Sequence, residues 1–334
     1  MSSRRIAALL AGAVLAAGML LSSACSGGNG DPKVRLGFSA WPGWFPWQIA
    51  AEKGFFKEAG VSVDLVYFES YLDSINALAA GQLDANCQTL NDTISSVAAG
   101  SDQVIVLVND NSTGNDAIIV SEGINAIADL KGKRIGVEVG VVDHYLLVLG
   151  LAKAGFSASD VQLVNLETGA AAAAFAAGQV DAVAVFAPFT TQALSRPGSK
   201  VLFSSADFPG AISDHLVVSR KLLKERPEAV QGLVDAWFLT LDWMARNPEE
   251  ALKILSKRAG VSPEEYRAYD AGTTIFTLEQ NVRAFEPGND LTSLPYAAKT
   301  IQEFLLENRF IEREIDLERL FDASFVRKRM EAKP

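Results

Sequence analysis

Cysteine and histidine are both scarce in this chain, with two of each among 334 residues. So few side chains of these types exclude a disulfide framework and a Cys-rich zinc module, and we predict no metal site and no cofactor. Basic residues are also outnumbered, because 30 Lys and Arg stand against 40 Asp and Glu, for a net charge of -10. A protein that binds nucleic acid through a basic face is therefore excluded, since phosphate neutralisation requires an excess of Lys and Arg.

Long uncharged apolar stretches are missing after the first thirty residues, and the one at the start is short. Arg4 and Arg5 precede an apolar run over residues 6–21, which small residues follow. The 16 residues of this run fall short of the roughly 20 that a membrane-spanning helix needs. Positive charge, apolar core and small residues in this order predict a secretory signal over residues 1–24, which is removed from the mature chain.

Small residues stand directly before Cys25 and resemble the lipobox of bacterial lipoproteins, although Ser22 occupies the place where an aliphatic residue is usual. The resemblance implies that Cys25 carries a lipid and that residues 25–32 form a flexible tether. The rest of the chain is then expected in the cell envelope, outside the cytoplasmic membrane, in the periplasm or on the outer face. Cleavage that leaves Cys25 unmodified is the alternative, and Sec and twin-arginine export both remain open.

From Val34 onward, short apolar runs alternate with helical segments that end at Gly. The segment Ala-Gly-Gln-Leu-Asp-Ala at 80–85 recurs as Ala-Gly-Gln-Val-Asp-Ala at 177–182. Each copy predicts a helix end, a turn and a strand start, with no chemistry of its own, so the pair indicates two lobes built alike. Alternating strands and helices predict an α/β protein in which each lobe is a mostly parallel sheet flanked by helices.

After Lys200 the pattern contains one more strand and then amphipathic helices, several of which open with Pro, a residue suited to the first helical turn. We expect this helical C-terminal extension to pack around the first lobe. The first lobe is then discontinuous, over residues 33–113 and 200–334, and the second lobe covers residues 114–199. The hinge is predicted near residues 110–118 and 198–214.

Several segments resemble one protein family when they are taken together. They are EKGFFKEAG at 52–60, the paired Ala-Gly-Gln-x-Asp-Ala segments, DLKGKRIG at 129–136 and DAVAVFAP at 181–188. Their order and spacing, over nearly all of residues 33–330, are similar to those of the periplasmic solute-binding proteins of ABC importers. The resemblance is to the NMT1/THI5-like branch, which includes taurine, alkanesulfonate, nitrate and thiamine-pyrimidine binding proteins, and it implies a two-lobed type II periplasmic-binding-protein fold.

The loop after the first strand carries three of the five Trp residues, namely Trp41, Trp44 and Trp47. Ligands of open parallel sheets bind beyond the carboxyl ends of the strands, so this loop is a candidate site. Aromatic area concentrated in a loop favours a ligand. The alternative is that one or two rings only fix the following helix to the lobe; we expect both roles, with at least one ring at the ligand.

Three further loops begin helices, whose free N–H groups and partial positive charge suit an anionic group. The candidate residues in these loops are Asn91, Asp92, Thr93, Val141, Asp143 and Thr168. Alternatively, Asp92 and Thr168 are ordinary N-caps, a role that is compatible with ligand binding.

Acidic and aromatic residues complete the candidate site. His144 is expected to begin a helix that faces the cleft, and Asp116 is a further acid at the cleft. In taurine-type relatives an aspartate just before the returning strand binds the substrate amine, and the resemblance assigns Asp214 to that place, with capping at the hinge as the alternative. The resemblance also puts Phe186 and Phe189 at the ligand.

These patterns predict a monomeric, lipid-anchored substrate-binding protein that closes two lobes around a small polar nutrient and delivers it to an ABC permease and its ATPase subunit. Acids beside helix N-termini favour a taurine- or sulfonate-like zwitterion, with thiamine pyrimidine, nitrate or another small nitrogen compound as alternatives. The sequence contains no recognisable triad or phosphate loop, so we predict no enzymatic activity. A thiamine-pyrimidine-synthase-like enzyme and a ligand sensor are the competing functions.

Overall fold

The computed structural model describes residues 32–332, and these residues form two β-sheets flanked by helices. The predicted signal and Cys25 lie outside the described residues. The first sheet contains β1 (Val34–Phe38), β2 (Val63–Tyr67), β3 (Ala85–Thr89), β4 (Gln103–Ser112), β10 (Ser213–Ser219) and β11 (Thr273–Ile275). The second contains β5 (Asp116–Val120), β6 (Arg134–Val137), β7 (Gln162–Asn165), β8 (Ala182–Phe186) and β9 (Lys200–Ser204). Each sheet, with the helices that pack on it, is called a lobe below.

The two sheets share one topology. The strand order is β2-β1-β3-β10-β4-β11 in the first sheet and β7-β6-β8-β5-β9 in the second. In each sheet two parallel pairs are followed by one strand, β10 or β5, that runs antiparallel to both of its neighbours. That strand enters from the other sheet, because β5 follows β4 and β10 follows β9 along the chain. The two-lobed α/β fold is thus confirmed, while the sheets are mixed because the crossing strand arrives without a crossover helix.

The paired Ala-Gly-Gln-x-Asp-Ala segments occupy equivalent places in the two sheets. Their glycines end a helix with φ of 71° and 74°, in the left-handed region that favours glycine. The Asp84 carboxylate then accepts the Arg35 N–H at 2.9 Å, and Asp181 accepts the Arg134 N–H at 2.9 Å. Each aspartate therefore joins the start of one strand to its neighbour, which is an architectural role.

Residues 200–204 belong to the second lobe, so their assignment to the first lobe is wrong. They form β9, whose backbone pairs antiparallel with β5. Phe203 in this strand packs against Gly150, where a Cβ atom would lie 2.2 Å from the Phe203 ring. The strand is thus held by backbone pairing and by packing within the second lobe, and the chain returns to the first lobe after it. The remaining lobe boundaries stay a prediction.

The helical C-terminal extension packs on the first lobe, where α9 contacts α1 and α2, α13 contacts α4 and α14 contacts β4. These helices and those between the strands are α1 (Pro46–Lys53), α2 (Phe55–Glu58), α3 (Tyr71–Ala79), α4 (Leu90–Ala98), α5 (Val142–Lys153), α6 (Thr168–Ala176), α7 (Phe189–Leu194), α8 (Arg220–Glu225), α9 (Pro227–Arg246), α10 (Pro248–Ala259), α11 (Pro263–Asp270), α12 (Leu278–Ala284), α13 (Leu294–Glu307) and α14 (Ser324–Glu331).

Even α9, with 20 residues, is amphipathic, since it buries Trp237 in the lobe core and carries charged residues at both ends. Over residues 32–332, none of the helices combines the length and the apolar composition that crossing a membrane requires.

Candidate functional site

The candidate site lies where the edges of the two sheets meet. The carboxyl ends of β3 and β8 lie there, and β5 and β10 begin there because they run in the opposite direction. A small cavity at this place has a volume of about 10 Å³, roughly the space of one water molecule. Both lobes line it, through Trp41, Trp44, Tyr71, Thr89, Asp116, Val142, Phe186, Ile212 and Asp214.

Four of the lining side chains form a closed ring of aromatic contacts, which we call the aromatic box. The ring centroids of Trp41 and Trp44 are 6.5 Å apart, those of Trp44 and Tyr71 5.3 Å, those of Tyr71 and Phe186 6.4 Å, and those of Phe186 and Trp41 6.2 Å. Phe186 comes from the second lobe and the other three rings from the first. Aromatic pairs at these distances attract one another, so the box holds the lobes together and surrounds the cavity.

The three Trp of the loop after β1 divide between the two expected roles. Trp41 and Trp44 line the cavity, and the Trp41 indole N–H donates to Asp110 at 2.9 Å. Trp47 packs inside the first lobe instead, with its ring centroid 4.8 Å from that of Trp237. Its assignment to the ligand is wrong, because the turn at Pro46 starts α1 and the next residue faces α9.

Five buried aspartates surround the cavity, and we call them the acidic cluster. Asp116 and Asp214 line the cavity, while Asp92, Asp110 and Asp143 are likewise almost completely buried. Asp116 and Asp214 occupy equivalent places in the two lobes, since Asp116 pairs with the last residue of β8 and Asp214 with the last residue of β3. Asp110 is the partner of Asp214 across β4 and β10.

Burial dominates the electrostatics of the acidic cluster. It raises the pKa of Asp92 to about 7, that of Asp116 to about 7 and that of Asp110 to about 8, with further repulsion from Asp116 acting on Asp110. Burial and then the neighbouring acids raise the pKa of Asp143 and Asp214 well above the ordinary range. A low-dielectric setting without a cation penalises the charged form, so these carboxyls hold protons near neutral pH when the cavity is empty.

Few groups compensate these carboxyls. Asp110 and Asp214 lie opposite each other in the pairing of β4 with β10, and one oxygen of each is buried without a hydrogen-bond partner. The same is true of one oxygen of Asp116 and of both oxygens of Asp143. Among residues 32–332, none of the five forms a salt bridge, and no Lys or Arg lines the cavity. Among the residues that line the cavity, the indole N–H of Trp44 is a buried donor without an acceptor.

Three helix N-termini at the cleft are already bonded to carboxylates of the protein. Asp92 accepts the N–H of Val142 at the start of α5 at 3.2 Å, and Glu138 accepts the N–H of Leu72 at the start of α3 at 3.3 Å. At α6, Glu167 accepts two backbone N–H groups, from Gly169 and Ala170, at 2.9 and 3.1 Å. Two of the three positions where the sequence suggested an anionic ligand group, at α5 and α6, are therefore filled from within, whereas α4 has no side-chain cap.

Comparison with known proteins identifies the family. The NMT1/THI5 like family model matches residues 41–251. The chain belongs to this family. A protein of Brucella abortus that is named a binding protein is 30% identical over 262 residues, which cover 77% of this chain and 81% of the relative. The taurine-binding periplasmic protein of Escherichia coli is 31% identical over 69% of this chain and 74% of its own length.

Solved structures show the same fold. The alkanesulfonate-binding protein of Xanthomonas axonopodis pv. citri superposes with a TM-score of 0.75 at 21% identity, and the match covers 87% of this chain and 98% of that protein. This likeness supports the two-lobed fold of the NMT1/THI5-like protein described here, which the segments at 52–60, 129–136 and 181–188 indicated.

The other predicted residues of the NMT1/THI5-like chain contact residues around the cavity without lining it themselves. The amide of Asn91 donates to Asp92 at 2.7 Å, and the Thr93 hydroxyl donates to the Thr89 carbonyl at 2.8 Å. The Phe189 ring packs against Phe186 at an interplanar angle of 60°, with centroids 5.7 Å apart. These residues lie close to the cavity but are not among those that line it.

Three of the predicted residues lie at helix N-termini, and two of them are not the N-caps that were the alternative prediction. Thr168 is the first residue of α6 rather than its N-cap, and its hydroxyl donates to Glu138 at 2.8 Å. Asp92 likewise does not cap its own helix, because its carboxylate reaches α5 instead. Val141 is the N-cap residue of α5 by backbone conformation, without a side-chain bond.

His144 packs across to the first lobe, with its ring centroid 4.7 Å from that of Phe310. Its Nδ1 accepts the Gly140 N–H at 3.3 Å, and burial lowers its pKa to about 4. The imidazole is therefore neutral across the physiological range and contributes no positive charge to the neighbouring acidic cluster.

Several site residues were missing from the sequence-based prediction, among them Tyr71, Thr89, Ile212, Asp110 and Glu138. Tyr71 follows β2, and the rule that ligands bind after strand ends could have found it. Asp110 lies inside a strand and carried no such signal. A bond to Trp41, 69 residues away, brings it to the site.

Within residues 32–332 no group of three or more His, Cys, Asp or Glu has the geometry of a metal site. The lining residues include no His or Cys and no Ser, and Cys87 is fully buried. What the cavity offers is aromatic surface and carboxyl groups, supplied by both lobes.

Proposed function

We propose that this protein is the extracytoplasmic substrate-binding component of an ABC importer, which captures a small polar solute between its lobes. The observation that carries this proposal is the cavity itself, because neither lobe completes it alone. The first lobe supplies Trp41, Trp44 and Asp214, and the second supplies Asp116 and Phe186. Ligands of two-lobed proteins bind in such a position, and the relatives named for taurine and sulfonates support a solute of similar size.

Hydrogen bonds join the two lobes across the cleft in the closed form. Glu138 of the second lobe bonds to the Ser70 hydroxyl at 3.2 Å and to the Leu72 N–H at 3.3 Å. The N–H of Val142 reaches Asp92 of the first lobe at 3.2 Å. A cavity of about 10 Å³ cannot admit an organic solute unless the lobes first separate. A permease can then distinguish loaded from empty protein, because the ligand shifts the population of the closed state.

The proposal includes a lipid anchor. The secretory pattern over residues 1–24 and the lipobox-like residues before Cys25 support export and attachment, with residues 25–32 as the tether. The protein acts as a monomer in the cell envelope, and its partners are the permease and the ATPase subunit. Labelling with a radioactive fatty acid tests the anchor, and its loss in Cys25→Ser is the expected result.

For the ligand, we propose a solute that carries an amine. Asp214 lines the cavity next to Asp110, and carboxyls at this place suit an ammonium group, as the taurine-type resemblance implied. Thiamine pyrimidine also carries an amine and a flat ring that fits the aromatic box. Nitrate gains nothing from this lining, because a bare anion would meet Asp116 and Asp214.

An enzyme and a sensor are the competing functions. We propose binding without catalysis, because relatives that match this chain over 69% to 77% of its length are named binding proteins. Recovery of the ligand unchanged after prolonged incubation is the expected result, and steady product formation would speak for the enzyme. Genes for a permease and an ATPase beside this gene favour import over sensing.

A thermal-shift screen of the chain from Ser26 onward tests the proposal, with taurine, alkanesulfonates, nitrate, thiamine pyrimidine and simple amines, followed by calorimetry. A ligand at 100 times its Kd is expected to stabilise the protein by about 2.7 kcal/mol. Phe186→Leu should weaken the hit, whereas Asp64→Asn, at an exposed position of β2, is the matched control and should leave it unchanged. Uptake of the hit by cells must also fall when the gene is deleted; unchanged uptake would contradict the import function.

A further inference from the structure

We propose that the cavity binds a small organic ammonium cation that carries no acidic group, a class different from the sulfonates and taurine for which relatives are named. The inference rests on the proposed function, because it takes the cavity between the lobes as the ligand site. It is drawn from three features of that cavity: its charge, its aromatic walls and its occupied helix N-termini.

The first feature is a set of buried carboxyl groups without a compensating cation. Asp116 and Asp214 line the cavity, and Asp116 Oδ2 is buried without a hydrogen-bond partner. One oxygen of Asp110 and one of Asp214 are likewise without a hydrogen-bond partner, and Asp143, which interacts with Asp116, has both oxygens unpartnered. Buried carboxylates in proteins are normally paired or neutralised, so a group aimed into a cavity in this condition lacks a partner that a cation supplies.

The second feature is the aromatic box. Trp41, Trp44, Tyr71 and Phe186 surround the cavity through four ring contacts with centroid distances between 5.3 and 6.5 Å. Aromatic rings attract organic cations through their quadrupole, and aromatic cages are a recurring solution for alkylammonium groups. A box without carboxyls would accept neutral apolar ligands equally well. Rings and carboxyls together select a positive charge with attached carbon.

The third feature separates a cation from a zwitterion. An acidic ligand group requires a donor site of its own, and helix N-termini are the sites that the fold provides. Those of α3, α5 and α6 are bonded by Glu138, Asp92 and Glu167. The N-terminus of α4 has no side-chain cap, but the buried Asp92 lies in its first turn. A sulfonate would displace one of these carboxylates or lie beside it, and like charges in a buried setting repel strongly.

The remaining donor at the cavity does not change this conclusion. The Trp44 indole N–H is buried without an acceptor, and one neutral donor matches a hydroxyl or carbonyl oxygen of the ligand. It does not offset the buried carboxyls around it. The small cavity further favours a compact ligand over a long one, since the lobes contact each other around it.

Calorimetry on the purified protein at pH 8, with matched pairs of compounds, tests the inference. Choline and 3,3-dimethylbutan-1-ol have the same shape but differ in charge, while choline and glycine betaine share the ammonium group and differ in the acid. Ethylammonium and taurine form a second pair of the latter kind. We expect the cation to bind at least tenfold more tightly than its neutral or zwitterionic counterpart in each pair.

Two isosteric variants examine the carboxyls. Asp116→Asn and Asp214→Asn should each weaken cation binding at least tenfold while the preference over the neutral compound shrinks, and Asp64→Asn should change neither. The melting temperature of each variant shows whether it is folded. Because the two substitutions lie in different lobes, failure of one to fold leaves the other as the test.

The outcomes separate this inference from the proposed function. Tighter binding of taurine or an alkanesulfonate than of ethylammonium would overturn the inference and leave the binding function intact. Saturable binding of Ca²⁺ or Mg²⁺ without any organic cation would also overturn it, in favour of a metal ion. No binding by cations, zwitterions, anions or metal ions would count against the inference and the proposed function together.

Discussion

The two lobes reach the cavity with equivalent backbones but unequal side chains. Asp116 and Asp214 lie in the first two residues of the crossing strands of their sheets. They pair with the last residues of β8 and β3, which are Phe186 in the second lobe and Thr89 in the first. The first lobe adds three aromatic rings and Asp110, whereas the second lobe adds Phe186 alone to the box. The shared topology thus places one carboxyl group of each lobe at the cavity. The side chains outside the repeat differ, so the first lobe supplies most of the aromatic surface and the second lobe closes over it with Phe186.

Trp47 and Phe186 give the largest expected effects and the clearest separation of core from site. Trp47→Ala removes a fully buried ring from the first lobe and should lower the free energy of unfolding by about 3–5 kcal/mol, with little change in the Kd of the folded protein. Phe186→Ala should instead raise the Kd, because it removes the one ring of the aromatic box that the second lobe supplies. Denaturant unfolding and calorimetry on both variants check this contrast. Equal effects of the two variants on Kd would contradict it.

Asp116 and Asp214 test whether equivalent positions contribute equally. Loss of one partner of a buried charge pair costs about 2–5 kcal/mol of binding free energy. We expect Asp116→Asn to weaken binding of an amine-bearing ligand more than Asp214→Asn, because Asp110 remains beside residue 214 and can take over the charge. The double variant Asp110→Asn, Asp214→Asn should then match Asp116→Asn in calorimetry. A larger loss for Asp214→Asn alone would make the first lobe the dominant charge site.

The acidic cluster predicts opposite pH dependences for the empty and the loaded protein. Asp92, Asp110 and Asp116 have pKa values of about 7, 8 and 7 when folded, above the ordinary value of 3.8. A raised folded pKa contributes stability that is complete below the unfolded pKa and is lost as pH rises through the folded one. The melting temperature of the empty protein should therefore fall between pH 6 and 9.

A bound cation favours the ionised carboxyls, so it should release protons and bind more tightly over the same range. The expected change is up to about tenfold in Kd per pH unit for each proton released. The titratable groups facing the cluster are Glu138, Tyr71, Tyr145, Tyr266 and Cys87. His144 stays neutral because its pKa is about 4. Calorimetry in buffers of different ionisation enthalpy counts the protons. Binding that weakens as pH rises would contradict a cationic ligand.

The repeated Ala-Gly-Gln-x-Asp-Ala segments give the smallest effect and test the symmetry away from the cavity. Asp84 accepts the Arg35 N–H and also forms a salt bridge with the Arg35 guanidinium at 2.8 Å, whereas Asp181 accepts only the Arg134 N–H. We expect Asp84→Asn to lower the free energy of unfolding by about 1 kcal/mol and Asp181→Asn by about half as much, with ligand Kd unchanged in both. Urea unfolding of the two variants measures the difference.

Sequence patterns predicted the location of the site better than the identity of all its residues. Trp41, Trp44, Asp116, Phe186 and Asp214 were named from strand ends and from the resemblance, and the structure places them around one cavity. Trp47 was included because it shares the loop, and its direction into the core depends on α9, nearly 190 residues away in the sequence. Asp110 was missed for the matching reason, since only tertiary contact brings a mid-strand acid to the cavity.

Local sequence determined the α/β alternation, the repeated helix ends at glycine and the family, because these depend on residue order and near neighbours. Tertiary structure decided the charge character of the site. A carboxyl group has an ordinary pKa in an extended chain, and the sequence contains nothing to show that five of them share one dry space. Folding brings β4, β5, β10, α4 and α5 together and removes water from between them. The five carboxyl groups are thereby buried around one cavity, where no cation compensates them.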